Sequence, residues 1–381
     1  MRHSILPRCS AWSPLSALVA SILVSAPAQA ITSDSQLQGQ LQEFVEIAGG
    51  PPGAIITLYR DGQMTVFSAG RADVAREGAP QANQHMRIAS VAKAFNGAVA
   101  LHLVQKGKLG LDDTIGKRLP GLPAAWSAVT IRQMLNHTGG LPDYTRSQAF
   151  AKHVGAQPRD YLKPETIIDW VRNDPLDFTP GSKYSYSNTD NIVVGLIAEA
   201  VTGVPYDRLL HDIVYSPADL TETSFPTHDI DLPANSIHGY IVDPGSPPKD
   251  VSVFLSPSGA WASGAIVSTP TDLAAFIRAY LGLKFFGSAE QQQQMQFVPG
   301  ESSPPGPGAN AAGLALFSYT TECGVVYGHT GNFPGYTQWA ASTADGKRSV
   351  TMTLNMPAPN GPLLERLRGI QSQAVCLLLA P

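Results

Sequence analysis

The stretch that most restricts how this chain can fold runs from Arg87 to Gly107. Val91 to Val104 is mostly apolar and free of proline, and Gly107 follows the last basic residues, so the stretch reads as a helix with a glycine stop. A helix that is apolar on every side must be buried on every side, so the remaining chain has to wrap around it. Its first turn nevertheless carries Ser90 and Lys93, three residues apart and on one face. A lysine held in that environment has its pKa lowered by burial unless it is paired. A serine beside such a lysine, at the positive end of a helix, is an activated nucleophile. An N-cap serine followed by a lysine that snorkels to solvent is the other reading, and this stretch alone leaves both open.

With 381 residues the chain is large enough for one large or two intimately packed domains. The first thirty residues have a texture of their own. Arg2 and Arg8 precede an apolar run from Leu15 to Val24, and Ala28-Gln29-Ala30 follows. This is the pattern of a signal peptide with a small-residue cleavage site, and the run is too short to span a bilayer. Cys9 lies before the apolar run, so no lipid-modified cysteine is expected. The expected destination is outside the cytoplasm, periplasmic or extracellular, with no membrane span once residues 1–30 are removed. Loss of Arg2 and Arg8 takes the formal net charge from −4 to −6. A mildly acidic chain without a basic run has no footprint for nucleic acid. Cleavage also leaves an even pair, Cys323 and Cys376, in a compartment where disulfides persist, which argues for one bridge. No C-x-x-C or H-E-x-x-H spacing occurs, so no metal site and no cofactor are expected.

Along the mature chain, Ser35–Ala48 has an apolar stripe of Leu37, Leu41, Phe44 and Val45 and reads as a helix. Ala54–Tyr59 and Met64–Ala69 read as two strands joined by an Asp61-Gly62 hairpin turn. Helical patches at Thr130–Asn136, Pro164–Asn173 and Asn191–Thr202 alternate with proline- and glycine-rich loops. Thr271–Leu281 reads as a helix, 299–313 as a loop, and Val325–His329, Tyr336–Ser342 and Ser349–Leu354 as antiparallel strands. Pro362–Leu378 closes the chain as a one-sided apolar helix. The expected fold class is α/β (α+β), with an antiparallel sheet flanked by helices and built from both chain ends, plus a mainly helical domain. The expected boundaries are 31–108 and 252–381 for the discontinuous sheet domain and 109–251 for the helical one.

Ser-x-x-Lys occurs twice, at Ser90–Lys93 and Ser246–Lys249, but Pro247 and Pro248 prevent a helical turn at the second. Tyr184-Ser185-Tyr186-Ser187-Asn188 follows a Pro-Gly turn and precedes an apolar helix; a phenol beside a lysine can move a proton if its pKa is depressed. His329-Thr330-Gly331 ends a strand and leads into Asn332. A glycine there lets a substrate approach the strand edge, whose N–H groups can stabilise an oxyanion.

Ser-x-x-Lys, Tyr-Ser-Asn and His-Thr-Gly in this order and spacing resemble the serine β-lactamase and penicillin-binding superfamily, in its class C-like form and especially its secreted D-alanyl-D-alanine carboxypeptidases. Leu135-Asn136-His137-Thr138-Gly139-Gly140-Leu141-Pro142, the stretch Gly346–Val350 and the Cys323/Cys376 spacing share the resemblance. It implies a β-lactamase/DD-peptidase-like fold with the active site between the two domains. Carried over by position, Ser90 becomes the acylated nucleophile, Lys93 its proton acceptor and Tyr186 the proton donor to the leaving amine. Asn188 is to hold the substrate amide and Lys93, His329, Thr330 and Gly331 to line the strand, and the N–H groups of Ser90 and Asn332 to form the oxyanion hole. Trp261 resembles a tryptophan near the mouth of such sites. The implied partners are a small-molecule or peptidoglycan-peptide substrate ending in a D-amino acid and β-lactams as covalent ligands, and the implied state is a monomer. Two positions depart from the pattern. Ala312–Tyr327 lacks the basic residue that helps hold a terminal carboxylate, and Asn332 stands where a second threonine is usual, which leaves Thr330 and Arg348 as carboxylate partners. Other enzymatic readings are a class C-like β-lactamase, a β-lactamase-fold esterase and a D-aminopeptidase; outside the enzymes, the alternative is a catalytically silent binding protein.

Overall fold

The computed structural model describes Met1, residues 33–243 and residues 245–381, so the signal peptide expected over 1–30 lies, Met1 apart, outside the described residues. Strand β1 (Gly53–Arg60) is rich in β-branched and aromatic residues. It turns through Asp61 and Gly62, at φ 53° and 81°, into β2 (Gln63–Gly70). Both turn residues lie in the left-handed region, as a two-residue hairpin whose twist matches its strands requires. Near the other end of the chain come β3 (Val298–Pro299), β4 (Ala309–Gly313), β5 (Leu316–Thr321), β6 (Gly324–Phe333), β7 (Tyr336–Ser342) and β8 (Ser349–Leu354). Together they form one antiparallel sheet in the order β2-β1-β8-β7-β6-β5-β4-β3, closed between the chain ends by pairing from Ala54↔Leu354 to Tyr59↔Ser349.

The sheet exceeds the sequence expectation by three strands, and part of the stretch read as a loop over 299–313 is β4. Ala309-Asn310-Ala311-Ala312-Gly313 has no alternation of large apolar and polar residues to betray it. A Cβ on Gly308, just before it, would sit 2.0 Å from the carbonyl oxygen of Thr320, so only glycine lets the chain enter beside β5.

Successive strand residues serve two cores. Ala54, Ile56 and Leu58 of β1 and Trp339 and Ala341 of β7 face helices α1 (Asp34–Glu46) and α5 (Gly361–Leu379). Ile55 and Ala340 face the other way, into the core around α2 (Ala92–Gln105), α3 (Asn188–Thr202) and α4 (Pro270–Leu281). Between β2 and α4 the chain supplies α2, then mostly short helices, among them Ile131–Leu135, Gln148–Ala156 and Pro164–Asp169, with α3 the longest of those after α2. Phe95 of α2 stacks on Phe276 of α4 at 3.5 Å between ring centroids, which fixes α2 against the sheet-covering helix. Among the described residues no helix is long and apolar enough to cross a membrane.

Cys323, in the turn before β6, is bonded to Cys376 of α5, closing a loop with a separation of 53 residues. Replacing both cysteines by serine should lower the unfolding free energy by about 4 kcal/mol in the chain-entropy account, read from urea unfolding. The arrangement around His329 and Gly331 should be unchanged, because the bridge joins β6 to α5 at the opposite end of that strand.

Candidate active site

Ser90 occupies a 3₁₀ turn, Ala89–Val91, that runs directly into α2. Ala89 is held at φ 51°, a costly conformation for a residue with a Cβ, and it bends the chain so that Ser90 is presented at the helix entrance. Strand β6 runs alongside. A Cβ on Gly331 would lie 2.8 Å from the carbonyl oxygen of Ile88 and 2.9 Å from the backbone nitrogen of Ser90. Glycine is therefore what lets the strand edge reach the nucleophile's own N–H. Gly331→Ala should push strand and turn apart and slow any reaction that uses the Ser90 N–H as an oxyanion donor by roughly a hundredfold to a thousandfold, read as the turnover rate with p-nitrophenyl acetate.

Lys93 sits in the first turn of α2 and is fully buried rather than snorkelling. Its Nζ donates to Ser90 Oγ at 3.0 Å, Asn188 Oδ1 at 2.8 Å and the carbonyl oxygen of Ser263 at 2.9 Å. Three acceptors match the three hydrogens of an ammonium, yet burial outweighs them. Desolvation brings the Lys93 pKa down to about 7, against the opposing pull of Asp143 and Asp190. An amine near neutrality can shed a proton to solvent and then accept one from the serine hydroxyl 3.0 Å away.

Tyr186 completes the cluster with its ring 5.0 Å from Lys93 Nζ. Its hydroxyl is buried and without a hydrogen-bond partner, and Ser90 is the side chain that opposes the upward shift of the phenol. Burial raises the phenol's pKa above its ordinary value; the proximity of Lys93 does not depress it. Tyr186 is therefore a neutral proton donor, the state that suits protonation of a departing amine and not the removal of a proton from serine.

The first turn of α3 grips the loop that follows His137. Asn188 Nδ2 donates to both oxygens of Asp143, at 3.3 and 3.2 Å. Thr189 Oγ1 donates to the carbonyl of Pro142 and accepts from the N–H of Tyr144. Asp190 meets His137 Nδ1 at 2.8 Å, and the imidazole in turn lies 4.4 Å from the Tyr186 ring. Burial pushes the Asp190 carboxyl well up and the His137 imidazole well down, so both directions favour uncharged forms. One helix start thus fixes the partners of Lys93 and the wall behind Tyr186.

These groups open onto a cavity of about 440 Å³ lined by Ser90, Tyr186, Asn188 and Asn332 together with Asp143, Arg146, Phe150 and Phe333. Asn332 turns its side chain away, accepting from the N–H of Ala358 at 2.8 Å, while remaining part of the lining. His329 and Thr330 lie behind the surface, both buried. Desolvation takes His329 down to about 3, so it is a neutral imidazole and supplies no positive charge. Thr330 Oγ1 donates to the carbonyl of Pro304 at 2.6 Å, which commits it away from a substrate carboxylate. Trp261 packs on Tyr206 and Phe225 and lines a different cavity. Arg348, expected as a carboxylate partner, is tied at its Nη1 to the carbonyls of Leu378 and Ala380, beyond the Ser342 end of β7. Arg146 lines the cavity and has no ion pair or side-chain hydrogen bond among the described residues. Asp143, Arg146, Phe150 and Ser263 escaped the sequence reading. The motif His137–Pro142 stops one residue short of Asp143, and Ser263 acts only through its backbone.

A Beta-lactamase family profile matches residues 36–375. The chain is 27% identical over 306 residues to Penicillin-binding protein 4* of Bacillus subtilis (strain 168), covering 76% of this chain and 64% of that protein's length. It is 25% identical over 374 residues to a putative D-alanyl-D-alanine carboxypeptidase of Escherichia coli (strain K12), covering 87% and 83% of the two chains. Among solved structures, a D-stereospecific amidohydrolase from Streptomyces sp. superposes with a TM-score of 0.76 at 28% identity, over 89% of this chain and 98% of that one.

Proposed function

The chain belongs to the Beta-lactamase family, and from that premise we propose that it is an exported serine carboxypeptidase that cleaves D-alanyl-D-alanine-type peptides through an acyl-enzyme and is acylated by penicillins. The observation that carries the reading is a fully buried Lys93 within 3.0 Å of Ser90 Oγ and with a pKa about 7. Neutral Lys93 takes the hydroxyl proton as Ser90 Oγ attacks the carbonyl carbon. The oxyanion is met by the N–H of Ser90 and that of Asn332 on the strand held close by Gly331. As the C–N bond breaks, the leaving amine receives a proton from Tyr186, which recovers one from Lys93. Water then attacks the ester and returns Ser90 to its starting state.

Export rests on the residue 1–30 pattern and on a disulfide that needs an oxidising compartment. Arg146 is the unpaired cation in the cavity wall and the partner offered to a substrate carboxylate in place of the missing strand arginine. One observation favours a second reading, an amidase or esterase that binds no terminal carboxylate: Thr330 and Arg348 are both committed elsewhere. A class C-like β-lactamase is disfavoured by a neutral His329 in place of a lysine. A silent binding protein is disfavoured by the intact Ser90, Lys93 and Tyr186.

Intact mass of the mature protein, followed through a time course with benzylpenicillin, tests the proposal. An adduct on Ser90 that persists for many minutes supports the peptidase. A transient adduct with disappearing drug makes it a β-lactamase. No adduct, with hydrolysis of short p-nitrophenyl esters, moves the function to the esterase or amidase.

A further inference from the structure

Asp143 is buried, lines the cavity, and has no cation within ion-pair distance among the described residues. Its own fixation is thorough: Oδ1 accepts from the Thr145 N–H at 3.1 Å and from Thr145 Oγ1 at 2.9 Å, which anchors it to its own loop. What it then holds is the Asn188 amide. An ionised carboxylate only accepts and an ammonium only donates, so an amide between the two has one orientation, Nδ2 to Asp143 and Oδ1 to Lys93.

We propose that Asp143 is a positioning residue that locks the Asn188 amide onto Lys93 and sets a negative charge one side chain away from the amine. The inference rests on the role given to Lys93 above. It also explains why Asn188 cannot freely offer Nδ2 to a substrate amide, as the sequence resemblance implied: that group is already engaged. The other groups around Lys93 are Asn188 and Asp190 from α3, His137 and Tyr186 from the loops before it, the Ser263 carbonyl, and His329 from β6. His137, His329 and Tyr186 are held neutral by burial, and Asp190 is both raised and bonded to His137. Asp143 and Asp190 both favour the Lys93 ammonium, Asp143 the more strongly, so Asp143 is the carboxylate whose charge matters most to the amine.

The test compares wild type with Asp143→Asn. Lys93 is titrated directly by ¹³C NMR of lysine-labelled, substrate-free protein, and the pH profile of acylation by p-nitrophenyl acetate is recorded beside it. Removing the negative charge removes an interaction that favours the ammonium, so the Lys93 midpoint should fall by about half a unit or more. The acid limb of the acylation profile should move down by the same amount, with the maximal rate reduced about tenfold because the Asn188 amide is no longer pinned. Asp143→Glu, which keeps the charge, should restore the midpoint. Asp143→Ser, an uncharged acceptor, serves the same comparison where the asparagine chain does not fold. An unchanged Lys93 midpoint in the uncharged variants overturns the proposal, as does a Glu variant that titrates like them. A midpoint that moves in a protein that acylates nothing would uphold the positioning role while removing the hydrolase reading.

Discussion

Ser90→Ala takes up no penicillin adduct and loses at least about 10⁴-fold in turnover of any amide or ester the wild type accepts, the expectation for deleting a nucleophile that acts as a unit with its base. The fold should not notice. Ser90 Oγ accepts one hydrogen bond, from Lys93, and Ser90 lies in a short 3₁₀ turn held by Ala89, Gly331 and the start of α2. Without the hydroxyl, Lys93 keeps Asn188 Oδ1 and the Ser263 carbonyl and loses one acceptor, which favours its neutral form further. The Tm should therefore stay within a few degrees of wild type, about what a change under 1 kcal/mol produces in a domain of this size. Intact mass after benzylpenicillin and a thermal scan decide it. A residual adduct that maps to another residue would remove Ser90 from the centre of the site, and a collapsed melting transition would make the loss of activity uninformative.

The elements legible in the sequence were those whose pattern is local. The α2 helix announced itself by an apolar run that no exposed helix could carry, and β1 with β2 by a β-branched run ending in Asp61-Gly62. The order of motifs singled out Ser90, Lys93, Tyr186 and Asn188; Ser90, Tyr186 and Asn188 line one cavity, and Lys93 is bonded to Ser90 and Asn188. What the sequence concealed depends on through-space relations. Strand β4 is built of Ala, Asn and Gly, and is a strand because β5 lies beside it. The direction of the Tyr186 shift could not be read from a neighbouring lysine, because desolvation of the phenol dominates and the nearby Asp143 pushes the same way. Thr330 lost its expected role to Pro304, twenty-six residues away, and Arg348 to carbonyls at the end of α5. Trp261 is near the cavity in sequence, following Gly259 and Ala260 in its wall, yet its ring packs to the far side against Tyr206. Motif position fixes where a backbone runs more firmly than where a side chain points.

Lys93→Met separates the two things that Lys93 does. As a base, the amine is irreplaceable by a thioether, and acylation should fall by roughly 10³-fold or more, with the wild-type acid limb near pH 7 disappearing from the residual rate. As a buried cation, the same amine weakens the fold. Its folded pKa is about 7 and its unfolded value the ordinary lysine one, so between those limits the unfolded chain binds a proton that the folded chain has released. Wild-type stability must then rise with pH across that window: the penalty is complete below pH 7, shrinks with each pH unit while the folded lysine is neutral and the unfolded one still protonated, and is gone once both states are neutral. Methionine carries no such penalty, but it strands Asn188 Oδ1 and the Ser263 carbonyl, each costing about 1–3 kcal/mol, and this loss does not depend on pH. The two stability curves should therefore converge or cross, wild type gaining on the variant by on the order of a few kcal/mol from pH 7 to pH 10. Urea unfolding of both proteins at three pH values measures the slope. Parallel curves would mean that Lys93 keeps an ordinary pKa in the folded protein, and Ser90 would then have to lose its proton to something else.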